Sequence, residues 1–314
     1  MTNTISIVAY KRPLYFEQLL RSLVRNDLNN WRIFIQIEPS SETSKMLKCI
    51  EQYLADFNTT VFTNKKILGA RNNPHVLLEK VFDSGSNLNI HLEEDIIISS
   101  DITKLAQWYS HQDLTSTMCL NLVSNSCFSS GVIFSKEQKY SNYIIKSKLF
   151  NSIGLIFNRN QWFKHIKKNW MNLPQDFCNH NGIPLQGWDI ALYDYLLHTN
   201  NLHTMSCLYP RATHTGIDGG EHCRKNFFLK AWDRVSILEG KKTTYNYKIA
   251  IYSDIDSQNM LSLLYLWEEM AQSLITIKKY RKAVKKYTWL FNIAIFMKQH
   301  IPRSVKKIIK RVLN

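Results

Sequence analysis

None of the six cysteines (Cys49, Cys119, Cys127, Cys178, Cys207 and Cys223) stands in a Cys-x-x-Cys pair. Structural zinc sites are built on such pairs, so none is expected. A secretory pattern is also missing: Met1-Thr-Asn-Thr-Ile-Ser-Ile-Val passes straight into a strand pattern, and reduced thiols in a cytosolic compartment are the expectation. The apolar run at 287–297 falls short of the ~20 residues a membrane-spanning helix needs. No internal repeat and no low-complexity linker interrupts the chain. Acidic residues are absent from Lys278 to Asn314, a stretch with twelve Lys and Arg; subtracting these from the formal charge of +15 leaves +3 for everything before it. The body is thus near balance and the basicity belongs to a tail. A uniformly basic domain would point to nucleic acid, whereas a basic tail points to an anchor.

What is there is α/β alternation. The length of 314 residues and the 45% hydrophobic content suit one large α/β domain, or one domain plus an appendage. Strand patterns fall at 4–10, 31–37, 60–63 and 89–98, and helical spacing of apolar residues falls between them, after Pro13 and at 42–57. Residues 69–74 read as a loop leading into a helix that reaches Phe82. Four strand–helix repeats predict a doubly wound, mostly parallel sheet. Beyond Asp95 the pattern weakens: helices at 101–110, 159–170 and 190–198, strands at 118–123, 152–157 and 202–209, and polar loops at 125–131 and 210–220.

The fourth strand ends in Glu93-Glu94-Asp95. Adjacent carboxylates repel, so a fold that gathers three of them supplies a counter-ion. A hard divalent ion such as Mg²⁺ or Mn²⁺ suits oxygen ligands. Ligands of open α/β sheets bind at the carboxyl ends of the strands, where this triplet lies. An exposed acidic turn is the plainer alternative.

Four features stand in order: Ala9-Tyr10-Lys11-Arg12-Pro13 after the first strand, the acidic strand end, Gly187-Trp188-Asp189 at a helix start, and the loop from Arg211 to His222. Over roughly residues 4–225 this resembles the GT-A fold nucleotide-sugar glycosyltransferases, in particular the inverting N-acetylglucosaminyltransferase I family. The resemblance implies a Rossmann-like doubly wound mixed sheet, here followed by a helical basic tail. It implies that Tyr10 and Arg12 meet the nucleotide, Arg12 at the pyrophosphate or base, and that Glu38, ending the second strand, lies near the nucleobase. Arg71 and Asn72 are further nucleotide candidates. The family's Glu-Asp-Asp motif reads Glu93-Glu94-Asp95, with Asp95 the metal ligand and Glu93 and Glu94 beside the donor; the middle residue departs from the pattern. Trp188 lies at the donor and Asp189 is the catalytic base. Asp189 is followed by Ile190-Ala191, where the family commonly has a second acidic residue. Arg211 belongs to a loop that closes on the donor, and a histidine of that loop completes the metal shell, His222 or else His214.

The implied reaction is direct displacement on a nucleoside diphosphate sugar, UDP-linked by preference, assisted by Mn²⁺ or Mg²⁺, with Asp189 taking the acceptor proton. Two other readings are a sugar-phosphate nucleotidyltransferase and a nucleic-acid-binding protein using its tail. The first lacks the glycine-rich loop expected after the first strand; the second leaves Glu93–Asp95 and Asp189 without a role, so no nucleic acid is expected. The expected organisation is a catalytic domain over 1–255, with a nucleotide half at 1–125 and an acceptor half at 126–255, then a segment at 256–314. Near its end that segment alternates Lys and Arg with Ile and Val at helical spacing, the signature of a helix lying on an anionic membrane surface. A lipid-linked or glycan acceptor of bacterial surface polysaccharide, a location at the inner face of the membrane and a homodimer through the C-terminal helices complete these expectations.

Overall fold

The computed structural model describes residues 2–124, 141–175, 183–217 and 246–249, together with Phe177 and Ile237. In chain order these form β1 (Thr2–Ala9), α1 (Pro13–Leu23), β2 (Trp31–Ile37), α2 (Thr43–Leu54), β3 (Thr59–Thr63), α3 (Gly69–Asp83), β4 (Ser86–Glu93), β5 (Ile96–Ile98), α4 (Ile102–Ser110), β6 (Thr117–Asn121), β7 (Tyr143–Ser147) and β8 (Leu155–Asn158). A composite helix follows, with an α turn α5 (Arg159–Gln161), a π turn (Trp162–Ile166) and a 3-10 turn (Lys167–Asn169); then come α6 (Trp188–His198), β9 (His203–Cys207), β10 (Ala212–His214) and β11 (Lys248–Ile249). The tail at 256–314 and the loop at 125–131 lie outside the described residues.

The main sheet runs β11-β7-β9-β6-β8-β4-β1-β2-β3. Its half β4-β1-β2-β3 is wholly parallel, and β8 enters antiparallel to both β4 and β6. The two faces of β1 are served by different layers. Ile5, Ile7 and Ala9 share a buried cluster with Phe16, Leu19 and Leu23 of α1 and Met46 and Ile50 of α2. The other face carries polar groups that satisfy one another. Thr4 Oγ1 donates to Asn89 Oδ1 (2.9 Å), Asn89 Nδ2 donates to Ser6 Oγ (2.9 Å), and Ser6 Oγ meets His91 Nδ1 (2.9 Å). A one-residue slip between β1 and β4 would strand every member of this ladder in the interior, so it fixes register as well as adding bonds. Over it lie α3, through Asn73 to Gln36, and the composite helix, through Trp170 edge-on to His91.

Three local differences from the sequence reading have physical causes. Residues 69–74, expected as a loop, already belong to α3. The Glu38 carboxylate accepts from Leu68 N (3.0 Å) and Gly69 N (2.8 Å) at the helix start, and Pro74 forfeits only the bond that would go to Ala70. The strand expected over 89–98 breaks at Glu94-Asp95, and its second half leaves the main sheet to pair with β10, His214 opposite Ile96. β10 itself lies in a region expected as loop.

His91 is buried among aromatic rings, and burial holds its imidazole down to about 3. The unfolded chain takes up this proton near pH 6.5 and the folded chain only near 3, so the unfolded state binds more protons in that window. Stability is therefore full above about 6.5 and falls as pH drops, by about 1.4 kcal/mol per unit at most from this group. His91→Gln is expected to flatten the fall of urea-measured stability between neutral and acid pH. An unchanged slope would show that His91 is not held neutral.

Candidate active site

β1 and β4 are parallel neighbours with Val8 opposite Glu93, so the residues that follow each strand emerge at one edge. This is also where the sheet changes direction of winding: β1 leads through α1 to β2 on one side, and β4 arrives from β3 on the other. Carboxyl strand ends at such a switch point form the usual crevice for ligands of α/β sheets. At this edge Lys11 adopts a left-handed backbone (φ 47°), a cost for a side chain with a Cβ, and the chain then turns into α1 at Pro13.

Arg12 is the hub. Its Nε and Nη2 donate to Glu94 Oε1 (2.8 and 2.5 Å), and its Nη1 lies 2.8 Å from Asp95 Oδ2. His214 Nε2 lies 3.0 Å from the same Asp95 oxygen. Thr215 fastens the Asp95 backbone, its N and Oγ1 both donating to Asp95 O (2.7 and 2.9 Å). The counter-ion demanded by the acidic triplet is thus supplied for two of its members by one guanidinium. Burial pushes the Asp95 carboxyl up, but His214 and Arg12 outweigh it and hold it below the ordinary range. Glu94 goes the other way: burial and then Asp95 raise it to about 7 despite Arg12. Glu93 is also raised well above the ordinary carboxylate range, by burial and then by Asp95, Glu94 and Asp189. The last contribution places Asp189, in the first turn of α6, within electrostatic reach of Glu93.

Two glycines make room for this arrangement. A Cβ on Gly216 would lie 2.3 Å from Asp95 Oδ2 and 2.8 Å from Arg12 Nη1; one on Gly187 would lie 2.3 Å from Asp189 Oδ1. Asp95 Oδ2 is pinned from two sides and has no easy retreat. Gly216→Ala is expected to displace this buried ion pair and to lower the melting temperature, because the added Cβ has no room beside Asp95 Oδ2 and Arg12 Nη1. An unchanged melting temperature would show that the Arg12–Asp95 pair yields without cost.

Several of the other expected site residues have partners within the protein. Trp188 is buried, stacked face to face on Trp170 (centroids 4.2 Å apart) and edge-on to His91, so it orients α6 from the core. Arg211 is buried and turned to Asp101, with Nε 2.8 Å from Oδ2, while its other nitrogens donate to Tyr209 O and Ser141 O; it does not reach the triplet. Glu38 accepts from Leu68 N, Gly69 N and Asn64 Nδ2, and so caps the start of α3. Arg71 donates to Trp170 O and Asn172 O, tying α3 to the composite helix, and Asn72 Nδ2 donates to Leu68 O. Tyr10 is half-buried beside Lys11, whose Nζ lies 4.8 Å from its ring centroid. His222 lies outside the described residues. The histidine brought to Asp95 is His214, delivered by the pairing of β10 with β5.

Among the described residues no group of three His, Cys, Asp or Glu side chains is arranged to hold a metal ion. One atom nevertheless has the character of a ligand. Asp95 Oδ1 is buried and accepts no hydrogen bond among the described residues, an arrangement that is costly without a cation or donor to face.

No family model matches the chain, and no curated protein matches it. Among solved structures it is similar to the 1–349 segment of S. aureus TarS in complex with UDP-GlcNAc (15% identity, TM-score 0.47, covering 73% of this chain and 64% of that one). It is also similar to the glycosyltransferase GlyE of Streptococcus pneumoniae TIGR4 (17%, 0.42, 65% and 45%) and to the mannosyltransferase PcManGT of Pyrobaculum calidifontis in complex with GDP-Man and Mn²⁺ (12%, 0.39, 52% and 46%). The chain spans less than two thirds of the length of each. The class that fold and site define together is a Rossmann-like mixed α/β protein with an acidic, arginine-bridged crevice at its switch point.

Proposed function

We propose that this chain is an inverting glycosyltransferase that moves a sugar from a nucleoside diphosphate sugar, UDP-linked by preference, to a hydroxyl of a glycan or lipid-linked acceptor. The observation that carries the reading is the juxtaposition of Arg12, the Glu93–Asp95 triplet and Asp189 at the switch point of the sheet.

A divalent ion of the Mg²⁺ or Mn²⁺ kind would be held by the Asp95 carboxylate, whose Oδ1 has no hydrogen-bond partner among the described residues, since such ions commonly take only one or two carboxylates from the protein. When bound it supplies neutralising charge at the leaving diphosphate. The rest falls to the chain itself. Arg12 holds Glu94 and Asp95 in position and brings a permanent positive charge to the edge where the diphosphate departs. His214 and Thr215 fix the Asp95 side chain and backbone. Asp189 accepts the acceptor's hydroxyl proton. The new C–O bond forms as the bond to the diphosphate breaks, which leaves as nucleoside diphosphate, and a single in-line attack inverts the anomeric centre.

Residues 256–314 are assigned the role of a cytoplasmic-side anchor on an anionic membrane surface, close to a lipid-linked acceptor such as a growing surface polysaccharide. The activity is tested by incubating the protein with UDP-sugars and extracts of surface glycolipid and following UDP release. Proton NMR of the product should give the anomeric configuration opposite to the donor's. Retention would refute the single-displacement role of Asp189.

A further inference from the structure

The composite helix and the residues after it, 159–173, form a layer that runs antiparallel along α3. At one end Arg159 donates to Phe82 O and Phe163 meets the Phe82 ring edge-on (6.4 Å). In the middle Lys167 pairs with Glu79 (3.0 Å), and at the far end Arg71 donates to Asn172 O (2.8 Å). The inner side is Trp162, His165, Ile166, Asn169 and Trp170, all buried. The outer side recurs at helical spacing and is of two kinds. Phe163 and Met171 are 43% and 42% exposed, and Leu173 just beyond is 57% exposed. Lys164 and Lys168 are exposed between them, without an ion-pair partner among the described residues, and Lys167 is half-buried. Residues 159–173 contain no Asp or Glu.

Large apolar side chains in water beside unpaired lysines make this face poorly suited to solvent and well suited to one kind of surface. Lysines supply attraction to anionic headgroups, and Phe, Met and Leu gain by entering the boundary beneath them. A nucleic acid would use the lysines but offers nothing to Met171 and Leu173. We propose that this outward face of the 159–173 layer docks on an anionic lipid bilayer, as a contact of the folded body separate from the basic tail. Trp170, within the layer, stacks on Trp188, the residue before Asp189. If the transferase reading holds, the docked face also fixes the height of the catalytic carboxylate over the membrane; the docking itself does not depend on that reading.

The test is sedimentation of the full chain with vesicles of phosphatidylglycerol and phosphatidylcholine, with phosphatidylcholine alone as reference. Lys164→Glu/Lys168→Glu is expected to lower binding to the anionic vesicles about tenfold or more. Phe163→Ser/Leu173→Ser is expected to lower it by about tenfold as well. Lys45→Glu/Lys48→Glu on α2 makes the same change of net charge elsewhere and should stay within about twofold of the parent. The tail is intact in every variant, and unchanged melting curves confirm that the exposed substitutions leave the fold alone. Equal loss in the α2 variant overturns the proposal. So does no loss in either variant of the layer, or a loss confined to the lysine pair that is matched by lost binding to a single-stranded oligonucleotide. Because the readout is lipid binding, it stands or falls independently of transferase activity.

Discussion

Asp189→Ala is expected to lower turnover by a factor of about 10² to 10⁴ while nucleotide binding stays within about twofold of the parent. The reason lies in what each carboxylate touches. Asp95 faces Arg12 and His214 at the ends of β1 and β10, where the proposed function puts the diphosphate. Asp189 enters from α6, held by the Trp188–Trp170 stack, and acts on the triplet through its charge. Removing Asp189 takes away a proton acceptor and leaves the Arg12 ion pairs intact. Removing Asp95 takes away the carboxylate with the unpartnered oxygen and releases Arg12 and His214 together. Asp95→Ala is therefore expected to lose both nucleotide binding and turnover. Titration of each variant with nucleotide, beside a rate measurement at saturating donor, separates the two. Equal loss of binding in both variants would refute the division of roles.

The largest effect on stability is expected at Arg211. Its guanidinium and the Asp101 carboxylate are both buried. Around them Tyr247 Oη donates to Asp101 Oδ2 (2.8 Å), Ser99 Oγ donates to Asp101 Oδ1 (2.5 Å) and Arg211 Nη1 donates to Tyr209 O (2.9 Å). This network joins the start of α4, the approach to β10 and the segment leading to β11. Arg211→Ala strands a buried carboxylate, and the expected cost is about 3–5 kcal/mol, read by urea denaturation. Arg211→Met/Asp101→Leu removes both charges and should recover a large part of that loss, since the pair itself contributes little beyond what packed apolar groups would. Because Arg211 immediately precedes β10, the single variant should also loosen His214 from Asp95. A cost below about 1 kcal/mol would mean that the network is not intact in solution.

The parallel half of the sheet was readable because its signals are local. Each of β1 to β4 is an apolar stretch bounded by turn residues, each helix between them repeats its apolar positions at 3.6, and the alternation alone implies parallel pairing. The acidic triplet and Arg12 were readable because both lie next to strand ends. Their mutual ion pair was not, since it depends on the register of β1 against β4. The protein partners of Glu38, Arg71 and Arg211 were not legible for a related reason. A charged side chain looks the same in sequence whether it faces a ligand or the backbone of another element, and these three face Gly69, Trp170 and Asp101. The stacking of Trp188 on Trp170 was not legible because the two are remote in sequence. β10 is three residues long and carries no periodicity of its own; it exists because β5 leaves the main sheet and offers it an edge.

Calorimetric titration of the full chain with UDP, GDP and CMP, with and without Mn²⁺, tests the central claim most directly. The expected result is binding of one nucleotide, UDP by preference, that depends on Mn²⁺ and disappears in Asp95→Ala. No binding of any of the three with the metal present would contradict the claim, and the arginine-bridged triplet would then be a structural ion pair rather than a donor site.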